Sequence, residues 1–327
     1  LLNEKAVEIA NINAKKGLEF SISKIVTEKS IVNGFIGLLA TGGSTNHTIH
    51  LIAIARAAGI IINWEDMSKL SEAIPLITRM YPNGAADVNH FHAAGGMPFV
   101  IHSLLSNGLL HNDVTTILGQ GLSLYTQETK IINENLEFSE GAKVSLNENV
   151  VRPVSNPFSI QGGIKILKGN MGRSVIKTAA VSDENLIIEA PAIVFEQQSD
   201  LIKAFKNNEL NKDFIAVVPF QGPKQNGMPE LHNLTPSLTI LQKRGYKVGL
   251  VTDGRMSGAS GKVPAAIHLT PEAKEGGIIS KIQSGDLIRL DAKTGSLDLI
   301  KIEDVLKRQA KQIHRDDSNS LGRNLFE

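Results

Sequence analysis

Two apolar runs separated by a helical segment constrain the fold more than any other feature of this sequence. Residues 214–220 and 246–252 are mostly apolar and of strand length, and residues 234–244 between them have the apolar spacing of a helix. A strand, a helix and a second strand in this order predict a right-handed crossover between parallel strands. The sequence therefore predicts an α/β fold with a parallel sheet in its second half.

A polar loop follows each of these predicted strands, residues 221–230 after the first and residues 253–262 after the second. Open α/β sheets place their ligand sites where the carboxyl ends of parallel strands meet, so we expect the two loops to lie together. The side chains that could carry chemistry there are Glu230, Asp253, Arg255 and Ser257.

Each of these residues also has a simpler interpretation. Glu230 could cap the following helix, and Asp253 before a glycine is common turn chemistry. Arg255 could be a surface charge, and Ser257 among small residues is more typical of a turn than of a nucleophile or base. Their joint occurrence at the ends of neighbouring strands favours a functional site.

A third loop, with the sequence GGSTN at residues 42–46, precedes a strongly apolar helical segment at 47–58. Backbone N–H groups at such a helix start form a ready anion site, although a tightly packed loop–helix junction is an alternative. His47 and His50 are three positions apart and could share a helix face as a metal pair, although core or capping roles are favoured. A weaker cluster, without a recognised ligand spacing, consists of Asp87, His90 and His92.

Asparagine, proline and glycine residues punctuate the segment 147–163, where we place a domain boundary. The predicted domains are residues 1–150 and 151–327, since one core stops growing near roughly 250–300 residues. The first domain is predicted to be mainly helical, and the second to combine short strands with helices. The predicted elements are helices at 70–80, 98–105 and 199–207, strands at 164–167, 175–181, 186–189 and 192–195, and a hairpin at 286–302.

The composition excludes several classes of protein and site. The sequence has no cysteine, which excludes disulfides, a thiolate nucleophile and any cysteine-ligated zinc or iron–sulfur site built from these residues alone. The 34 basic and 33 acidic residues leave a net charge of +1, so no long-range field attracts nucleic acid or a membrane surface. No apolar run reaches the roughly 20 residues of a membrane span, and a cytoplasmic location is expected. Because the chain begins at Leu1 rather than methionine, we expect that this is not a natural N-terminus.

With these motifs in place, the sequence resembles the family of sugar-acid and dihydroxy-acid dehydratases over essentially its whole length. The GGSTN loop, the helix end ARAAG at 55–59 and the segment DGRMSG at 253–258 are patterns of the whole family. Other stretches resemble its 6-phosphogluconate branch. They lie at 62–64, 81–84, 87–96, 221–232 and 258–264.

The resemblance implies elimination of water from 6-phosphogluconate to give a 2-keto-3-deoxy acid, with an iron–sulfur cluster of the 4Fe–4S type as Lewis acid and a divalent cation such as Mg²⁺. It also implies a mainly helical α/β cluster domain followed by a swivelling β/α domain of aconitase type. Ser257 matches the serine proposed as the base for the C2 proton, and Glu230 matches a cation-binding carboxylate. Further substrate contacts are expected from loop residues. They are Ser44, Thr45, Asn46, Lys224, Asp253, Arg255 and Lys262.

The absence of cysteine departs from this family, whose cluster ligands belong to a region preceding the part matched here. We therefore expect the 327 residues alone to be inactive, and the full-length enzyme to be a homodimer with no nucleic-acid or membrane partner. Two alternatives stay open from the sequence. One is a sister dehydratase acting on a dihydroxy acid or an unphosphorylated sugar acid, and the other is a binding or assembly module that has lost the chemistry.

Overall fold

A computed structural model of the protein describes residues 2–15, 20–81, 83–256 and 262–313. The helices in these residues are α1 (Leu2–Lys15), α2 (Ile22–Ile25), α3 (Glu28–Thr41), α4 (Thr45–Ala57), α5 (Trp64–Ala73), α6 (Val88–Ala93), α7 (Gly96–Ser106), α8 (Gln198–Lys206), α9 (Pro223–Asn226), α10 (Thr235–Lys243) and α11 (Ile302–Leu306). The strands are β1 (Thr115–Thr116), β2 (Gly119–Gln120), β3 (Gln127–Ile132), β4 (Asn135–Glu140), β5 (Ile164–Gly169), β6 (Gly172–Lys177), β7 (Ile187–Val194), β8 (Phe214–Val218), β9 (Val248–Thr252), β10 (Ala265–Thr270), β11 (Leu287–Asp291) and β12 (Ser296–Leu299).

A layer of helices forms the first part of the chain, with α3 at its centre. Thr27 caps α3 through a reciprocal box with Ser30, which satisfies N–H groups that the first turn cannot pair internally. The apolar side chains of α3 lie in two cores, one shared with α4 and α5 and the other with α7. Phe35 and Leu39 are almost completely buried, so α3 is the element on which this layer packs.

The second part is a closed eight-stranded barrel in the order β10-β6-β5-β12-β11-β7-β8-β9. Strands β7, β8, β9 and β10 pair in parallel, and β5 pairs antiparallel with β6. Every residue of β8 is buried because its two faces meet different cores. Ile215 and Val217 point into the barrel core, while Phe214, Ala216 and Val218 pack with the core of α8 and α10.

The structure confirms the predicted parallel crossover, since β8 and β9 pair from Phe214 with Val248 to Val218 with Thr252 and α10 lies between them in sequence. It also confirms the hairpin of β11 and β12 and the helices α4, α7 and α8. The chain is thus a mixed α/β protein, as predicted. No helix within the described ranges has the length and apolar character needed to span a membrane.

Four predicted elements differ from the structure. The helix predicted at 70–80 ends at Ala73, because Ile74 precedes a proline and is extended, and residues 76–80 form isolated bridges instead. The strands predicted at 186–189 and 192–195 are one strand, β7. The strand predicted at 175–181 begins earlier and ends at Lys177.

Candidate functional site

The GGSTN loop forms the turn between α3 and α4. Gly42 ends α3 in the left-handed conformation with φ of 60°, and a Cβ there would lie 2.2 Å from the Asn83 side-chain nitrogen. Ser44 caps α4, and its hydroxyl accepts a hydrogen bond from the Asn46 N–H at 3.2 Å. The sequence therefore places the first turn of α4, with its positive end of the helix dipole, directly after a glycine-dependent bend.

The two loops that follow β8 and β9 meet, as predicted. Glu230 and Arg255 form a parallel β-bridge, and the Leu231 N–H donates to the Arg255 carbonyl at 3.2 Å. This backbone contact fixes the relative positions of the two loops at the carboxyl edge of the parallel strands.

The carboxylate of Glu230 joins the barrel loops to the helical layer. Its Oε2 accepts from the Arg255 Nη1 at 3.0 Å and from the Asn46 Nδ2 at 2.9 Å. Its Oε1 lies 4.0 Å from the His232 Nδ1. The Glu230 and Arg255 side chains are 24% and 29% exposed, so solvent reaches the ion pair and partly screens the attraction between the two charges. Two of the predicted site loops and the GGSTN loop therefore converge on one carboxylate.

Two further hydrogen bonds hold this arrangement. The buried Thr45 hydroxyl donates to the Met256 carbonyl at 2.7 Å, which links the first residue of α4 to the loop after β9. The Arg255 Nε donates to the Met228 carbonyl at 2.7 Å, so the guanidinium is fixed from two sides. These bonds orient Arg255 towards Glu230.

Asp253 lies beneath the loops and is 1% exposed. Its carboxylate accepts backbone N–H bonds from Phe220, Gln221 and Ala273 at 3.2, 2.8 and 2.8 Å. Burial raises the pKa of Asp253, while these three donors act in the opposite direction. Its oxygens therefore connect two backbone segments, at 220–221 and at 273, to the loop after β9.

The remaining predicted site residues lie further from Glu230 or outside the described structure. Lys224, in α9, is exposed and its Nζ pairs with the Glu275 carboxylate, which raises the Lys224 pKa. Lys262 is exposed at the start of the segment that leads to β10. Ser257 lies in residues 257–261, outside the described residues.

Two buried residues near these loops were not identified from the sequence. Lys177, at the end of β6, donates from Nζ to the Gly42 and Gly43 carbonyls at 2.7 and 3.0 Å. His268, in β10, has φ of 55°, and its ring centroid lies 5.5 Å from that of Trp64. Burial and the nearby Arg255 charge lower the His268 pKa to about 4, so this imidazole is neutral at pH 7. A charged or polar residue within an apolar strand is the sequence signal that could have found both.

Models of two parts of one protein family match the chain. The N-terminal model of dihydroxy-acid/6-phosphogluconate dehydratases matches residues 1–128, and the C-terminal model matches residues 149–326. The chain belongs to the dihydroxy-acid/6-phosphogluconate dehydratase family. The resemblance read from the loops at 42–46 and 253–258 is thereby confirmed.

Curated members of this dehydratase family differ in their similarity to the chain. Phosphogluconate dehydratase of Escherichia coli is 54% identical over 309 residues, covering 93% of this chain and 51% of that protein. The phosphogluconate dehydratase of Pseudomonas aeruginosa is 50% identical, covering 100% of this chain and 54% of that protein. A dihydroxy-acid dehydratase of Sulfurisphaera tokodaii is 36% identical, covering 88% and 49%. The chain therefore spans about half the length of the curated relatives it matches.

Of the two expected cofactors, the side chains of this dehydratase-family chain fit only the divalent cation, and they supply only part of its ligands. An iron–sulfur cluster does not fit these 327 residues, because they include no cysteine. A hard divalent cation fits Glu230 as one oxygen ligand, although the described residues contain no group of three or more His, Cys, Asp or Glu side chains suited to a metal. Asp87 and His90 instead cap α6 reciprocally.

Proposed function

We propose that the full-length protein is a hydro-lyase that removes water from 6-phosphogluconate to give 2-dehydro-3-deoxy-6-phosphogluconate, a step of the Entner–Doudoroff pathway. The observation that carries the proposal is identity of 50–54% with phosphogluconate dehydratases across nearly the whole chain. The 36% identity with a dihydroxy-acid dehydratase favours this substrate over that of the sister branch.

The site geometry supports a role in binding an anionic, polyhydroxylated substrate. Arg255 is held at 3.0 Å from Glu230 and keeps a partly exposed guanidinium, and α4 directs its N-terminus at the same place. We assign substrate contacts to Ser44, Asn46 and Arg255, with Thr45 holding the loop in place. Lys224 and Lys262 are exposed cations that we assign to the phosphate end of the substrate.

The reaction requires removal of a weakly acidic C2 proton and departure of the C3 hydroxyl. We assign removal of the C2 proton to Ser257. Its alkoxide would need stabilisation by a cation such as Arg255 and by helix N–H dipoles. The negative charge that develops on the substrate carboxylate would be stabilised by the same groups. A divalent cation would take Glu230 as a ligand and would stabilise the enediolate when bound. We assign no residue of this chain to the departing hydroxyl.

Asp253 has a different proposed part in the site. Because its oxygens accept three backbone N–H bonds and it is 1% exposed, we infer that it positions the two loops instead of touching the substrate. Asp253 thus belongs to the site, as its position in the sequence suggested, but its role there is structural.

Further features of the full-length protein are part of the same proposal. They are an iron–sulfur cluster of the 4Fe–4S type with ligands outside this chain, a division into domains at residues 150 and 151, a swivelling second domain of aconitase type, a homodimer and a cytoplasmic location. The eight-stranded barrel with α8 and α10 packed outside it supports a separate second domain. The absence of cysteine supports cluster ligands outside this chain.

The test is a substrate panel on the full-length protein, with keto-acid formation measured from 6-phosphogluconate, gluconate and 2,3-dihydroxyisovalerate. Turnover of 6-phosphogluconate in preference to the other two is expected. Preference for dihydroxyisovalerate would overturn the substrate assignment, and binding without turnover of any substrate would favour a non-catalytic module. Glu230→Gln is expected to reduce turnover at least tenfold through loss of one charged ligand, whereas Glu137→Gln on the exposed hairpin serves as the control.

A further inference from the structure

A buried ammonium group lies where the barrel meets the helical layer. Lys177 is the last residue of β6 and is 7% exposed. Its neighbour in the barrel, Ile164 of β5, packs with the core of the helical layer. The Lys177 side chain therefore extends from the barrel into the junction between the two parts of the chain.

The charge of Lys177 is held by carbonyl oxygens. Its Nζ donates to the Gly42 carbonyl at 2.7 Å and to the Gly43 carbonyl at 3.0 Å, and no carboxylate in the described part of the chain pairs with it. Burial alone lowers the Lys177 pKa to about 8. A buried charge without an opposite charge costs stability, so stability alone does not account for a lysine at this position.

The carbonyls that Lys177 binds belong to the turn that sets the direction of α4. The Gly42 carbonyl also accepts from the Asn83 Nδ2 at 3.1 Å, so two donors from different segments meet on it. A Cβ on Gly43 would lie 2.5 Å from a Leu38 methyl group, so this turn has little room to shift. The next residues begin α4 and include Asn46, which reaches Glu230.

We propose that Lys177 is a positioning residue that ties the barrel to the Gly42–Gly43 turn and thereby holds the first turn of α4 against the Glu230 loop. The ammonium acts on the backbone of the turn and does not itself touch the substrate. Its consequence for substrate binding rests on the proposed function, whereas the restraint on the turn does not.

The experiment measures amide hydrogen exchange in the 327-residue chain for Lys177→Met, Lys177→Arg and Lys165→Met. Lys165 lies on the neighbouring strand β5, opposite Ile176, and serves as the matched control. We expect exchange of residues 43–50 to be about tenfold faster in Lys177→Met, because two hydrogen bonds to the turn are lost, with near-wild-type exchange in Lys177→Arg and in the control. A general structural defect would instead raise exchange throughout α3 and the barrel strands.

Unchanged exchange at residues 43–50 in Lys177→Met would overturn the proposal, as would an increase spread over the whole chain. If Lys177→Met does not fold, Lys177→Gln, whose side chain is uncharged and one atom shorter than that of lysine, is subject to the same two outcomes. In the full-length protein, we expect Lys177→Met to raise the KM for 6-phosphogluconate about tenfold with kcat changed less than threefold. If the wild-type full-length protein shows no turnover, the proposed function fails, and the exchange result still decides the role of Lys177.

Discussion

Replacement of Lys177 by methionine is expected to change how stability depends on pH. The Lys177 pKa falls from its ordinary value of 10.5 to about 8 in the folded chain. Between these two values the unfolded chain holds a proton that the folded chain has released, so the free energy of unfolding rises with pH. The destabilisation by the buried charge is therefore fully present below pH 8 and disappears as the pH approaches 10.5.

The magnitude follows from the pKa difference. Each pKa unit corresponds to about 1.4 kcal/mol, so the buried charge costs about 3 kcal/mol at pH 7. About 2 kcal/mol of this is recovered between pH 7 and pH 9.5. At pH 7 alone the methionine variant is a poor test, because the loss of donors to the Gly42 and Gly43 carbonyls costs about 1–3 kcal/mol in the opposite direction.

The assay is urea unfolding of the wild type and Lys177→Met at pH 7 and pH 9.5, followed by circular dichroism. The difference in unfolding free energy between the two proteins is expected to move by about 2 kcal/mol in favour of the wild type at the higher pH. Lys165→Met, on the neighbouring strand, is expected to show no such movement. A difference that is the same at both pH values would refute the assignment of a depressed pKa to a buried Lys177.

Three other substitutions test the packing around the site and in the barrel. Thr45→Val is expected to lower the unfolding free energy by about 1–2 kcal/mol, because a buried carbonyl loses its donor; urea unfolding with no change in midpoint would contradict this. Gly42→Ala is expected to lower the stability measured by differential scanning calorimetry more than Gly108→Ala does. Both glycines have positive φ, but of the two only Gly42 has a side chain within 4 Å of the added Cβ. Equal losses of stability would show that crowding at the turn is unimportant. Phe214→Ala is expected to lower the free energy of unfolding in urea by about 3–5 kcal/mol, because Phe214 is fully buried. The same change at the exposed Phe138 is expected to have little effect. Similar losses for the two variants would argue against the core described for β8.

The sequence predicts those parts of the fold whose signal is local. The apolar runs that became β8 and β9, with a helix between them, are sufficient to predict a parallel pair. Closure of the barrel depends instead on β6 pairing with β10, across a register shift between Ile267 and Thr270, and on β5 pairing with β12. Pairings of this kind join segments far apart in the sequence, and alternation within one strand does not specify its partner.

The candidate site also has contacts that the sequence predicts and contacts that it does not. That Glu230 and Arg255 lie together was predictable, because both follow neighbouring parallel strands. The hydrogen bond from Asn46 to the same carboxylate was not predicted, since 184 positions separate Asn46 from Glu230 and the family resemblance implied only a substrate contact for Asn46. Lys177 lies within an apolar run of the sequence, but only the packing of the barrel on α3 shows that its side chain is buried.

The contacts explain why the site lies at the junction of the helical layer and the barrel. The helical layer contributes the N-terminus of α4, and the barrel contributes the charged loops with Glu230 and Arg255. Two buried charges, Lys177 and Asp253, bind backbone groups on either side of this junction, and burial shifts the pKa of each towards its neutral form. Each charge lowers the stability of the fold relative to a neutral side chain at the same position. Each also holds backbone groups next to the site. Such a cost is expected where a sequence is selected to fix the geometry of a site more than to maximise the stability of the fold.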